Sequence, residues 1–324
     1  MKLGILGTGM IVKDVLSFIN DIHFESISIL GTESTRDETL KLVTQCNNGF
    51  AYFDYDELLE SDVDTIYVAL PNHLHYTFAL KALHKGKHVI IEKPIVLRAQ
   101  ELEKLSAIAY EKKLILLEAM NIHYLNSYNS LRKDIKKLGD IKLVSLNYSQ
   151  LSSRYEDFKN NVIHPAFDAR KGGGALMDIN IYNLHFIVGL FGMPVTVNYE
   201  ANVVRGVDVS GMLFLDYGDK KVVCIGAKDC HAPTFSSIQG EHGCILLNKP
   251  ANQMVGYELK INSNPAESIE HIDAHRLIPE FKKFKEIIEN RDFHTASSML
   301  SVSIAVLNVI EMARHQQNLE VENV

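Results

Sequence analysis

Basic charge is scarce in this sequence, and so is cysteine. Lys and Arg number 33 against 40 Asp and Glu, leaving a formal net charge of −7. That balance argues against nucleic acid or an anionic membrane surface as the main partner. The four cysteines, Cys46, Cys224, Cys230 and Cys244, show no C-x-x-C spacing, and no His or Cys pair stands at ligand distance in the sequence. Four reduced, mostly buried thiols and no metal site are therefore expected. No continuous apolar run approaches the ~20 residues that cross a bilayer. The start, Met1-Lys2-Leu3-Gly4-Ile5, lacks the apolar region and cleavage site of a signal peptide. Repeats and low-complexity tracts are absent. These absences predict a cytoplasmic protein with no membrane and no nucleic-acid partner. What is present is length and apolar content: 324 residues, 46% hydrophobic, suit two domains with sizeable cores.

The first half alternates strands and helices. Lys2–Leu6 reads as an apolar strand, Gly7-Thr8-Gly9 follows at once, and a helix begins near Met10, with Ile11 and Val15 on its inner face. Strand, glycine turn and helix is the setting in which G-x-G carries meaning. The first Gly allows the tight turn, and the second lets backbone approach a pyrophosphate at the helix N-terminus. Gly7, Thr8, Gly9, Met10 and Ile11 are thus candidate dinucleotide contacts. Val12 stands where a third small residue usually falls. A phosphate-binding P-loop is excluded, because Met10-Ile11 occupies the place of its Lys-Ser/Thr. After the second strand, Ser26–Leu30, the turn Gly31-Thr32-Glu33-Ser34-Thr35-Arg36 lies where such folds separate NAD from NADP. An acid there bonds the ribose hydroxyls, whereas an Arg among hydroxyls suits the 2′-phosphate. Both are present, and the position of Glu33 favours NAD.

The stretch from Asp64 to Pro94 organises the chain. Ile66, Val68 and Leu70 lie in a buried strand, Tyr76–Lys85 has helical spacing closed by Gly86, and Val89–Ile91 is a second strand. Ala69, Leu70, Asn72 and His75 border the first strand's end, and Glu92 and Lys93 stand at the second. Ligands of open α/β sheets bind at such carboxyl ends. Strict alternation persists to about residue 120, predicting a doubly wound parallel sheet over 1–121. Beyond it the strand-like runs 141–149, 195–204, 209–217, 221–228, 243–247 and 255–261 predict a large, mostly antiparallel open sheet in an α+β domain spanning 122–324. Two helices close the chain, one from Pro279 and one over 296–314.

A second constellation runs from Gly172-Gly173-Gly174 through Asp178, Tyr182 and His185. Spacings of four and three put the last three on one helix face. An Asp and a Tyr in so apolar a helix need polar partners. A purely structural role, with Asp178 bonding the glycine loop, fits the helix taken alone.

Pro71-Asn72-His73-Leu74-His75, Gly86-Lys87-His88-Val89, Glu92-Lys93-Pro94 and Gly172-Gly173-Gly174-Ala175-Leu176-Met177-Asp178 occur in this order. In them the chain resembles the glucose–fructose oxidoreductase, inositol dehydrogenase and rhizopine catabolism (Gfo/Idh/MocA) family of dehydrogenases. The resemblance implies an N-terminal Rossmann domain and a C-terminal α+β domain that binds substrate and oligomerises. It implies NAD or NADP as cofactor, a sugar or polyol substrate, and a homo-oligomer, dimer or tetramer. The catalytic trio it implies is Lys93, Asp178 and Tyr182. Tyrosine is a poor base near neutrality, and a lysine ammonium beside it favours the phenolate. The family also includes regulators that bind dinucleotide without turnover, which leaves a sensor as the alternative. Three positions depart from the family pattern: Asn180 replaces Gly, His185 replaces an acid, and the segment Glu118–Asn126 lacks the Arg and Pro of the pattern.

Overall fold

The computed structural model describes residues 1–319. In chain order the strands and α-helices of the first half are β1 (Lys2–Leu6), α1 (Met10–Leu16), β2 (Ser26–Leu30), α2 (Arg36–Val43), β3 (Gly49–Tyr52), α3 (Tyr55–Glu60), β4 (Thr65–Val68), α4 (His75–His84), β5 (His88–Glu92), α5 (Ala99–Glu111) and β6 (Leu116–Ala119). Then come α6 (Asn126–Asp134), β7 (Ile141–Ser149), α7 (Tyr155–Lys159), α8 (Ile181–Phe191), β8 (Thr196–Val204), β9 (Val207–Asp216), β10 (Lys221–Ala227), β11 (Ser236–Gly240), β12 (Gly243–Leu247), β13 (Gly256–Ile261), β14 (Glu267–Glu270), α9 (Ile278–Glu289) and α10 (Phe293–Gln316). The chain folds as two compact units. One comprises Met1–Ala119 with Leu277–Ser303, the other Met120–Arg276 with the residues from Ile304 onward.

The first unit holds a sheet of order β3-β2-β1-β4-β5-β6, with every neighbouring pair parallel. Its central strands are buried on both faces, as near-continuous apolar runs in a parallel sheet require. The strand order reverses between β1 and β4, which is where a doubly wound sheet opens a crevice for ligand. Residues 277–303 belong to this unit, whereas the sequence pattern assigns them to the second domain. Helical periodicity predicts the apolar face of α9 correctly but not its partner. Phe281 lies edge-on to Phe18 and Tyr67, at ring separations of 5.8 and 5.3 Å, and the Met1 amino group pairs with Glu289 at 3.2 Å.

The second unit holds an eight-stranded sheet of order β14-β13-β12-β11-β7-β10-β9-β8, antiparallel except for the β10–β7 pair. Side chains alternate cleanly. Val144, Leu146, Leu213, Leu215, Val222, Cys224, Ile238, Ile245 and Leu259 are buried. Leu143, Met212 and Phe214, on the other face, are each about half exposed. Two strands go beyond the expected runs. β11 has a single branched apolar side chain, Ile238, and is held by backbone pairing to β7 and β12. β14 is a short edge strand carrying Glu267 and Glu270.

Two helical stretches, Ala169–Phe191 and α10, are long and apolar enough to cross a membrane by length and composition. Polar residues interrupt both, so a count of continuous runs misses them. Val306, Leu307, Val309, Ile310 and Ala313 of α10 are buried in the protein. Of the thiols, Cys224 is buried and Cys46 and Cys244 half-buried, while Cys230 is exposed, contrary to the expected burial. Burial pushes the Cys46 thiol up to about 11.

Candidate active site

The dinucleotide end of the first unit is built on the turn between β1 and α1. Gly7 takes φ +104°, and a Cβ there would stand 2.9 Å from the Ala69 carbonyl oxygen at the end of β4. Only glycine satisfies both demands, which explains the first position of the motif. Gly9 caps α1 with no side-chain bond, and a Cβ on it would meet nothing within 4 Å. The amide groups of the first helical turn are thus open to approach, the opening a pyrophosphate needs. On these observations the residues present fit NAD or NADP. The Thr8 hydroxyl bonds Glu38 of α2. Met10 is exposed, Ile11 half-buried, and Val12 fully buried. The inner face expected for Ile11 therefore falls on Val12, and α1 packs on its sheet through a branched side chain rather than a third glycine. Just after β2, Glu33 grips Arg36 with two bonds of 2.6 and 2.8 Å, and the guanidinium lies 3.8 Å from the Phe53 ring centre. The bond to Arg36 holds the Glu33 carboxyl below its ordinary range. The acid and the arginine that compete for the ribose in the sequence are one exposed ion pair.

At the ends of β4 and β5, Leu70 and Asn72 are half-buried. The Tyr67 hydroxyl donates to Glu92, and the Lys93 amide donates to the other Glu92 oxygen at 3.2 Å. Lys93 itself is half-buried one residue past β5, and its bond to Pro94 is cis. His75 differs from the expectation. It is completely buried, with Nδ1 2.8 Å from the Pro94 carbonyl and Nε2 2.8 Å from the Leu70 carbonyl. Burial holds its pKa below the usual imidazole value, opposed by the bonds to the two carbonyls, each of which accepts from the ring nitrogen facing it when that nitrogen carries hydrogen. Both ring nitrogens face backbone, so His75 is a brace tying the end of β4 to the segment after Lys93. Just beyond, the Ile95 amide donates to the buried Glu118 carboxylate at 3.1 Å.

The second unit presents Asp178 on a single π-helical turn, Leu176–Asn180, that leads into α8. Such a turn inserts an extra residue and shifts the register of the helix beyond it. Asp178 and Tyr182 are each half-buried, whereas His185 is 1% exposed and has turned away. His185 is thus buried where the two residues expected to share its face keep partial access to solvent. Asp208 anchors the turn: its carboxylate accepts from the Leu176 amide at 2.6 Å and the Tyr199 hydroxyl at 2.7 Å. Burial pushes the Asp208 carboxyl up, opposed by those two bonds and by the charge of the buried Arg314. Tyr182 packs against Tyr148, with ring centres 5.9 Å apart. Asp178 Oδ2 pairs with Lys228 Nζ at 2.8 Å. In the sequence Lys228 reads only as a charge ending a strand.

The departures from the family pattern have partners. Asn180 is fully buried, donates to the Cys224 carbonyl at 3.1 Å and accepts from Asn183 at 2.8 Å. It faces Gly226, where a Cβ would meet the Asn180 Cβ at 2.8 Å, so the room a glycine would leave on the helix is left on the strand instead. His123, standing where the pattern has Arg, meets His185, standing where it has an acid, with Nε2 and Nδ1 3.1 Å apart. Two independent-looking changes in sequence are one hydrogen bond in the fold. Among the described residues no group of three or more His, Cys, Asp or Glu is set to hold a metal ion.

The family model described as "Oxidoreductase family, NAD-binding Rossmann fold" matches residues 1–120, and the Gfo/Idh/MocA C-terminal domain matches residues 133–246. The uncharacterized oxidoreductase YgjR of Escherichia coli is 35% identical over 259 residues, 77% of this chain and 76% of that one. The chain belongs to the Gfo/Idh/MocA oxidoreductase family. As a member it is an NAD(P)-dependent oxidoreductase acting on CH–OH groups. Within the family, the scyllo-inositol 2-dehydrogenase (NADP(+)) IolU of Bacillus subtilis is 27% identical over 322 residues, covering 98% of each chain. Among solved structures, KijD10, a 3-ketoreductase from Actinomadura kijaniata in complex with NADP and TDP-benzene, shares the fold with a TM-score of 0.83 at 20% identity, over 97% of both chains.

Proposed function

We propose that this family member oxidises a secondary hydroxyl of a sugar or polyol, or reduces the matching ketone, with Lys93, Asp178 and Tyr182 as its catalytic residues. NAD or NADP, when bound, supplies the hydride acceptor or donor. Tyr182 exchanges the proton of the substrate oxygen. Lys93 contributes positive charge that favours the anionic form of the substrate oxygen. Asp178 accepts a hydrogen bond from a substrate hydroxyl. Glu33 bonds the adenosine ribose and tilts the preference toward NAD. NADP would require Arg36 to leave Glu33 for the 2′-phosphate. The homo-oligomer, dimer or tetramer, and the cytoplasmic location remain part of this reading.

The observation that carries it is the position of Lys93: one residue past the carboxyl end of β5, beside the strands where the sheet order reverses. The relatives lend support, being named for scyllo-inositol and, in Hypocrea jecorina at 28% identity, for D-xylose. The test is a panel of inositols, aldoses and their ketones, each with NAD and NADP, monitored by nicotinamide absorbance. Turnover of at least one polyol or sugar is expected. Tight dinucleotide binding with no turnover across the panel would overturn the proposal in favour of a sensor.

A further inference from the structure

A buried lysine is costly unless paired, and Lys228 is 2% exposed. Its backbone is pinned on both sides: its amide donates to the Val209 carbonyl at 2.8 Å, and its carbonyl accepts from the Ser152 amide at 2.8 Å. The side chain then runs inward to three partners. Nζ lies 2.8 Å from Asp178 Oδ2, donates to the Ala166 carbonyl, and stands 4.4 Å from the centre of the Phe167 ring. An ammonium has three N–H donors and no acceptor. Carboxylate and carbonyl take two of them, the ammonium lies over the aromatic face, and at 2% exposure the side chain has little access to a substrate. Whatever Lys228 contributes to turnover therefore passes through Asp178, whose side chain is 31% exposed.

We infer that Lys228 is a positioning residue that holds the Asp178 carboxylate in one rotamer and in its ionised, acceptor-only form. This rests on the catalytic role proposed for Asp178. An acceptor-only carboxylate orients a substrate hydroxyl and delivers no proton, so in the direction of ketone reduction the proton comes from another group, the role proposed for Tyr182. The π-helical turn carrying Asp178 is anchored on its backbone by Asp208. Lys228 acts on the side chain itself, through the bond to Oδ2.

The test is a double-mutant cycle on the full chain with Asp178→Asn, Lys228→Met and the pair combined. Each is assayed for kcat and KM on the panel substrate turned over fastest by the unaltered protein, for NADPH binding by fluorescence, and for Tm. Asp178→Asn and Lys228→Met should each lower kcat by a factor on the order of 10², the cost of a misplaced contact, with NADPH binding unchanged. The double variant should fall no further than the weaker single, because both remove one device. Where Lys228→Met does not fold, Lys228→Arg closes the same cycle: its loss of kcat should vanish in the Asp178→Asn background. Multiplying losses, or a Lys228→Met protein with full kcat beside an inactive Asp178→Asn, would overturn the inference while leaving the role of Asp178 standing. An Asp178→Asn protein with undiminished kcat would overturn the role of Asp178 itself.

Discussion

Tyr182 rests its ring on Tyr148 whether or not it carries a hydroxyl, so Tyr182→Phe isolates the proton-transfer group from the packing. The variant should keep its melting temperature and lose activity by a factor of ~10²–10⁴. Wild-type oxidation should rise with pH as the phenol ionises, and the variant should lack that limb. An unchanged rate and profile would make the tyrosine structural. His185 would not inherit the role, being buried against His123. Glu33→Ala removes one half of the Glu33–Arg36 pair and frees the guanidinium. It should weaken NAD more than NADP in a binding titration, and equal losses would show that the carboxylate is only solvated. Residues embedded in local motifs are nominated in one dimension: Gly7, Glu92, Lys93, Asp178 and Tyr182 stand in runs whose spacing suggests their setting. Lys228 and His123 are not, because each gains its role from a partner 50 or 62 positions away. His75 is picked out too, but its two backbone bonds are not visible in the sequence. A histidine after a strand end reads the same whether it faces a ligand or two backbone carbonyls.

At the scale of elements, the parallel sheet of the first unit is legible nearly strand for strand, since buried β-strands and their helices write distinct periods into the sequence. The misses share a cause. β11 and β14 lack an apolar signature and exist by pairing with neighbours, and the π-helical turn at 176–180 is invisible to any 3.6-residue period. The allegiance of α9 to the first unit is likewise a fact of tertiary packing. The His123–His185 pair allows an element-level prediction. One ring nitrogen must offer N–H and the other a lone pair, so His123→Arg alone sets a donor-only guanidinium against a buried ring packed to meet an imidazole and should lower Tm. Adding His185→Asp supplies a carboxylate and should recover much of the loss, a coupling of about 0.5–3 kcal/mol. Strictly additive changes in Tm would show that the two helical segments are not joined through this pair.

For the whole molecule, the prediction concerns self-association through the outer face of the second sheet. Leu143, Met212 and Phe214 leave an apolar stripe in water, and stripes of this kind mark contact surfaces. The protein should sediment as a dimer or tetramer at micromolar concentration, and Phe214→Glu should shift it toward the monomer. A monomeric wild type would contradict this. The account as a whole turns on whether the intact protein is an enzyme whose chemistry depends on Lys93. The most direct measurement pairs steady-state turnover with NADPH binding in Lys93→Met and wild type. Turnover should fall by at least ~10²-fold, the scale of lost electrostatic stabilisation, while NADPH still binds. A Lys93→Met protein that turns over at the wild-type rate would contradict the account.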